Sequence, residues 1–364
     1  MVDRTSPSGG PQRPPLSAAS LMLRLTGIAV VVGVLAAAFA YVHGTFDPQR
    51  LTPKALVDVL EKNNGVHPGF RRNHAKGVCV IGHFESSGEV REYSSAQVFN
   101  EPRTPVVGRF ALPAGNPYAP DNSVPIRSLA LRFTQANGQQ WRTGMNSMPV
   151  FPVGTPDAFY QLQQAQSPDP ATGKPDPTKV PAFFAAHPEA VPFLTWVKTA
   201  RPSASYVTET YNSINAFYLV NSSGQKQAVR WSMAPMARDS APAAAEQGAD
   251  FLERDLVQRL AEGPLRWQLN ITLANPGDPV NDASKVWPDG RKVLNAGTLV
   301  LEKTQPQLSG ECRDINYDPL VLPAGIEGSE DPLLAARSAG YADSYLRRTS
   351  EVSQLPATRQ EARP

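Results

Sequence analysis

The chain has 364 residues, with 35 Lys and Arg against 33 Asp and Glu, 36 prolines, 5 histidines and 2 cysteines. A formal net charge of +2 argues against a nucleic-acid binder that works through a broad basic face. Two cysteines and five scattered histidines exclude a disulfide scaffold, a four-thiolate metal site and a histidine cluster, so any metal must arrive with a cofactor or use unusual ligands.

Residues 1–24 are rich in Ser, Pro and Gly and are expected to be a disordered cytoplasmic N-terminus. Arg4, Arg13 and Arg24 precede the uncharged run 25–42, LTGIAVVVGVLAAAFAYV. At about 1.5 Å per helical residue the run reaches roughly 27 Å, close to the hydrocarbon thickness of a bilayer. Positive charge before it predicts that the rest of the chain lies outside the cytoplasm. The reading favoured is an uncleaved single-pass anchor. A cleaved signal peptide is the alternative, with Ala38-Phe39-Ala40 as a small-residue cleavage site.

Residues 51–62 have helical spacing behind Thr52-Pro53. Short β-type runs follow at 77–84, 106–112, 128–134 and 140–143, then at 216–220, 227–233, 266–274 and 297–303. The stretch 164–181 is rich in Pro, Asp and Lys and reads as a loop. Residues 249–263 and 329–346 read as helices, the second opened by Asp331-Pro332. Proline makes up about one residue in ten, roughly twice ordinary usage, which argues against helical bundles and solenoids. The pattern predicts an α+β chain: an eight-stranded antiparallel β-barrel with helical insertions, preceded by one transmembrane helix. A β-sandwich is the alternative. One domain is expected over 45–350 and a disordered tail over 351–364.

The segment Arg71-Arg72-Asn73-His74-Ala75-Lys76-Gly77 leads into the first strand. A histidine flanked there by cations stays neutral and is able to accept and return a proton. Spacing alone leaves His74 open between a structural and a catalytic role. The wider segment 68–84, PGFRRNHAKGVCVIGHF, resembles the distal-side signature of the haem catalases. Collinear resemblances follow in TPVVGRF at 104–110, PIRSLALRF at 125–133, WRTGMNSMPVF at 141–151, SKVWP at 284–288 and PLVLPAGIEGSEDPLLAARSAGY at 319–341. Together they span about residues 50–348, and the family's barrel agrees with the strand reading.

The resemblance implies haem b as cofactor and a set of roles. His74 would be the distal acid–base group, and Asn146 would donate a hydrogen bond to the bound peroxide. Tyr341 would be the phenolate ligand of the haem iron. Arg337, four residues earlier on the same helix, would favour that anion. Arg71, Arg109 and Arg348 would pair with the haem propionates, and Phe151 and Phe159 would pack on the porphyrin.

Departures from the family pattern bear on the reaction. Ala111 stands where a serine is usual, so a hydrogen bond to the distal histidine is lost. Asn73 replaces an apolar residue and would make the haem mouth more polar. The C-terminal helical region is absent, so no nicotinamide nucleotide is expected. Less protein over the haem would admit organic reductants. The chain thus resembles the short catalase-related peroxidases, using an organic electron donor to reduce hydrogen peroxide or organic peroxides in the periplasm of a bacterial inner membrane. An efficient catalase and a lipid-hydroperoxide isomerase or lyase are the alternatives. Cys79 and Cys312 are expected as buried free thiols, although an oxidising compartment permits a bridge.

Overall fold

The computed structural model describes residues 17–42, 45, 47, 50–236 and 248–354. Of the expected disordered ends, residues 1–16 and 355–364 lie outside these. The chain divides into two units, Met1–Thr52 and Pro53–Pro364.

The first unit holds helix α1 (Ala18–Val42), long and apolar enough to cross a membrane and not buried against protein. It begins ahead of Leu25, so residues 18–24 are helix where disorder was expected. Ser17 accepts a hydrogen bond from the Ser20 amide at 3.3 Å, and the helix formers Leu21, Met22 and Leu23 carry the first turns.

Among the described residues of the second unit, ten strands form one antiparallel sheet: β1 (Gly77–Ser86), β2 (Thr104–Ala111), β3 (Ser128–Thr134), β4 (Gln140–Asn146), β5 (Tyr211–Asn212), β6 (Phe217–Val220), β7 (Lys226–Pro235), β8 (Leu265–Leu273), β9 (Val293–Gln305) and β10 (Ile326–Gly328). Eight of them close a barrel in the order β1-β2-β3-β4-β5-β7-β8-β9, with β9 pairing back to β1. The expected strand at 216–220 is β6, which lies beside the ring on β7 and carries β10. The ring position belongs to the two-residue β5. Between them Ile214 adopts a left-handed φ of 66°, which breaks one strand into two.

Alternation decides what each strand buries. Phe110, Leu129, Leu131, Met145, Trp231 and Trp267 fill the barrel interior. Their neighbours Arg109, Ala111, Ser128, Ala130, Gly144 and Asn146 face outward, where helices cover them. These helices are α2 (Pro53–Asn64), α3 (Pro156–Ala165) and, at the end of the chain, α7 (Pro332–Gln354). Between α3 and α7 lie α4 (Lys179–Ala186), α5 (Val191–Thr199) and α6 (Phe251–Glu262). The loop expected at 164–181 covers only 166–178, because α3 runs to Ala165 and α4 starts at Lys179, and α3, α4 and α5 themselves were not anticipated.

Helix α7 starts where Asp331 accepts the Leu333 amide at 2.9 Å. It runs past Arg348 to Gln354, so residues 351–354 are helical where a disordered tail was expected. The reason is an ion pair: Glu351 binds the buried Arg72. The two cysteines are likewise corrected. Cys79 on the outer face of β1 and Cys312 form a disulfide, their Cα atoms 5.4 Å apart.

Candidate functional site

A cavity lies between the outer face of β2, β3 and β4 and the helices α2, α3 and α7. Strand register lays two rows of side chains along its floor. Ala111, Ser128 and Asn146 stand opposite one another, and so do Arg109, Ala130 and Gly144. The rows are two residues apart, about 7 Å along the strands. Four of these six residues are small, which keeps the floor flat.

The first row faces His74, in the loop before β1. His74 has a left-handed φ of 56°, unusual for a residue with a Cβ. Asn73 explains it: its side-chain oxygen accepts the His74 backbone N–H at 2.9 Å. Asn73 itself lines the cavity, with its side-chain oxygen engaged by the backbone. Gly77 allows the loop to press onto β2, since a Cβ there would lie 2.1 Å from the Phe110 carbonyl oxygen. His74 opens onto the cavity but is otherwise enclosed. Burial, then the guanidiniums of Arg109 and Arg337, hold its imidazole down at about 3, against a hydrogen bond with Asn146 that pulls upward. Over the whole neutral range it is an uncharged proton acceptor.

The second row faces α7, which presents Arg337, Tyr341, Tyr345 and Arg348 on one side at helical spacing. Arg337 donates from Nη2 to the Gly144 carbonyl at 2.9 Å and from Nη1 to Asn215 Oδ1. A Cβ built on Gly144 would lie 3.2 Å from Arg337 Nη2 and 3.3 Å from Tyr341 Oη. The guanidinium and the phenol thus converge on one point of the floor, where a Cβ would press on both.

Three further arginines close one end. Arg71 donates from Nη2 to the carbonyls of Cys312, Arg313 and Ile315 at 3.0, 3.2 and 3.0 Å. Arg348 donates to the Arg313 carbonyl at 2.7 Å, and Arg109 to Gln307 and to the Ala75 carbonyl. Burial lowers Arg71 to about 9, with Arg109 the next cause, and lowers Arg109 and Arg348 to about 10. The Nε atoms of Arg109 and Arg348 are buried with no hydrogen-bond partner. The carboxylate paired with Arg348, Asp314, is 57% exposed and 3.8 Å away. Buried cations so weakly compensated call for an anion.

Phe151 and Phe159, with ring centroids 5.6 Å apart, form an apolar wall with Leu56, Val57 and Leu60 of α2. A planar apolar ring bearing two carboxylates, with a metal that takes a phenolate, fits this donor set on every side. Every site residue expected from the sequence lines the cavity: His74, Asn146, Arg71, Arg109, Phe151, Phe159, Arg337, Tyr341 and Arg348. Sequence reasoning missed Ser128, Gly144, Tyr317 and the α2 stripe. Their residue types carry no chemical signature, and only strand register and helix docking place them.

The catalase family model matches residues 44–363. A catalase-related peroxidase of Synechococcus elongatus is 38% identical over 88% of this chain and 96% of its own length. A catalase-related peroxidase of Mycolicibacterium paratuberculosis is 29% identical over 82% of this chain and 95% of its own. Catalase A of Saccharomyces cerevisiae shares the fold with a TM-score of 0.71 at 22% identity, covering 80% of this chain and 64% of the yeast chain. The chain belongs to the catalase family. Within it, it is a haem peroxidase of the short, catalase-related kind. It spans 56% of a Pseudomonas aeruginosa catalase that is 31% identical to it.

Proposed function

We propose that this protein is a membrane-tethered haem b peroxidase that reduces hydrogen peroxide or organic peroxides with an organic electron donor. The observation that carries the reading is the pairing of a neutral His74 beside Asn146 on one side of the cavity with Arg337 and Tyr341 on the other. Haem b bound here supplies the redox centre, an iron that takes the Tyr341 phenolate. Arg71, Arg109 and Arg348 would hold its propionates, and Phe151 and Phe159 its ring. His74 takes the proton from the near oxygen of the peroxide on a ring nitrogen and returns it to the far oxygen. Asn146 orients the far oxygen through its amide N–H. Arg337 favours the anionic form of Tyr341. In sum the peroxide takes two electrons from the donor and two protons, and leaves as water and an alcohol or a second water.

Two observations support a location outside the cytoplasm: α1 is long and apolar enough for an anchor, and the Cys79–Cys312 bridge suits an oxidising compartment. The apolar wall from Leu56 to Phe159 favours, as a second reading, a lipid-hydroperoxide isomerase or lyase. The test compares oxygen release from hydrogen peroxide, donor oxidation and lipid-hydroperoxide products on the purified protein. Donor oxidation faster than oxygen release is expected. Fast oxygen release with negligible donor oxidation, or rearranged lipid products in place of the alcohol, overturns the reading.

A further inference from the structure

One polar side chain on the cavity floor has no part in the scheme above. Ser128 is 4% exposed and stands between Ala111 and Asn146 in the first row. Its Oγ donates to Asn146 Oδ1 at 2.5 Å. An amide has two ends, and its neighbours decide which faces a ligand; on the cavity side Asn146 meets His74, and on the strand side it meets Ser128. With Oδ1 held by the hydroxyl, the group that Asn146 turns into the cavity is its NH2, a donor. Ala111, directly across the ladder from Ser128, carries no hydroxyl that competes for either residue. The ladder also sets both backbones: Ser128 and Asn146 are opposed residues of β3 and β4, so their Cβ atoms stay side by side and keep the hydroxyl within reach of the amide.

We propose that Ser128 is a positioning residue that locks the Asn146 amide with its NH2 toward the bound peroxide. The inference rests on the role given to Asn146 above. It acts through Asn146, touching neither peroxide nor cofactor.

The test uses the haem-loaded protein and four variants: Ser128→Ala, Ser128→Thr, Asn146→Ala and the double Ser128→Ala/Asn146→Ala. Two quantities are read: the rate of the haem absorbance change on mixing with hydrogen peroxide, and the C–O stretching frequency of the ferrous carbon monoxide form. The second senses a donor near the bound ligand without turnover. Ser128→Ala is expected to slow the first by about tenfold, as loss of an orienting partner does. It is also expected to shift or split the C–O band toward that of Asn146→Ala. Ser128→Thr keeps a hydroxyl and is expected to restore both. The double variant is expected to be no slower than Asn146→Ala alone. A parent rate and parent band in Ser128→Ala, alongside a slowed Asn146→Ala, overturn the proposal and leave the role of Asn146 standing. The same fold loss from Ser128→Ala with and without Asn146 also overturns it. A parent rate and band in Asn146→Ala overturn both readings together.

Discussion

The two sides of the cavity are built by different means. On the His74 side the groups stand on adjacent strands and a short loop, and neutral hydrogen bonds hold them: Asn73 to the His74 backbone and Ser128 to Asn146. On the Tyr341 side they stand on one helix that charge holds down. Arg72 binds Glu61 of α2 and Glu351 of α7, and Arg347 of α7 reaches Asp58 and Glu61 at 2.8 Å. A strand ladder fixes its residues to within a pleat, and burial with nearby guanidiniums keeps the histidine uncharged. A helix docked through ion pairs depends on distant partners. Damage on the strand side should therefore alter chemistry at constant stability, and damage on the helix side should alter cofactor retention and stability together.

The largest effect is expected from Tyr341→Phe. It should abolish the tyrosinate-type haem absorption spectrum, and an unchanged spectrum would show the ligand to lie elsewhere. Next, His74→Ala should slow the peroxide-driven absorbance change by about 10²–10⁴-fold, the usual worth of a positioned acid–base group. Haem content and thermal midpoint should stay near the parent values; a parent rate breaks the contrast between the two sides.

Cys312→Ser tests the arginine end. The bridge closes 233 residues of chain, and its loss should cost about 5 kcal/mol by chain entropy. The same loop offers the carbonyls that hold Arg71 and Arg348, so haem should also dissociate faster. Equal urea midpoints and equal haem loss with and without the bridge would refute this. Arg72→Ala leaves Glu61 and Glu351 without their buried partner and should cost about 3 kcal/mol in urea unfolding. Thermal unfolding that is unmoved would mean that α7 is held by apolar packing alone.

The last effect vanishes at neutral pH and is confined to acid. The His74 imidazole is held at about 3 in the fold, whereas a free histidine titrates at about 6.5. Between these values the unfolded chain binds a proton that the folded protein does not, so stability falls as pH drops through that window. His74→Gln should flatten this part of the profile of unfolding free energy against pH. An identical slope in parent and variant would mean that the folded histidine is charged.

Much of the chemistry was legible in the chain. The Arg-x-x-His-Ala-Lys-Gly stretch and the Arg337-to-Tyr341 spacing are local patterns, and local patterns survive in a linear text. What escaped was set by contacts between distant segments. A two-residue strand such as β5 has no periodicity to detect, and the short helices α3 to α5 carry too few turns to stand out among prolines. That Asn73 also holds the His74 backbone through its side-chain oxygen is visible only in the folded loop. Glu351 reads as tail until Arg72 is found opposite it.

The amino-acid sequence by itself determined the apolar N-terminal helix, the barrel class and which side chains carry reactive groups. The first two depend on composition and on a period of two or of 3.6; the reactive side chains were singled out by the resemblance to the catalase family. Only the tertiary structure decided that Cys79 meets Cys312, that Ser128 faces Asn146, and that Gly144 leaves the gap where Arg337 and Tyr341 converge. Strand register and helix docking are settled by the packing of the whole barrel. One residue of slip in their strands would turn Cys79, Ser128 or Asn146 to the other face of the sheet.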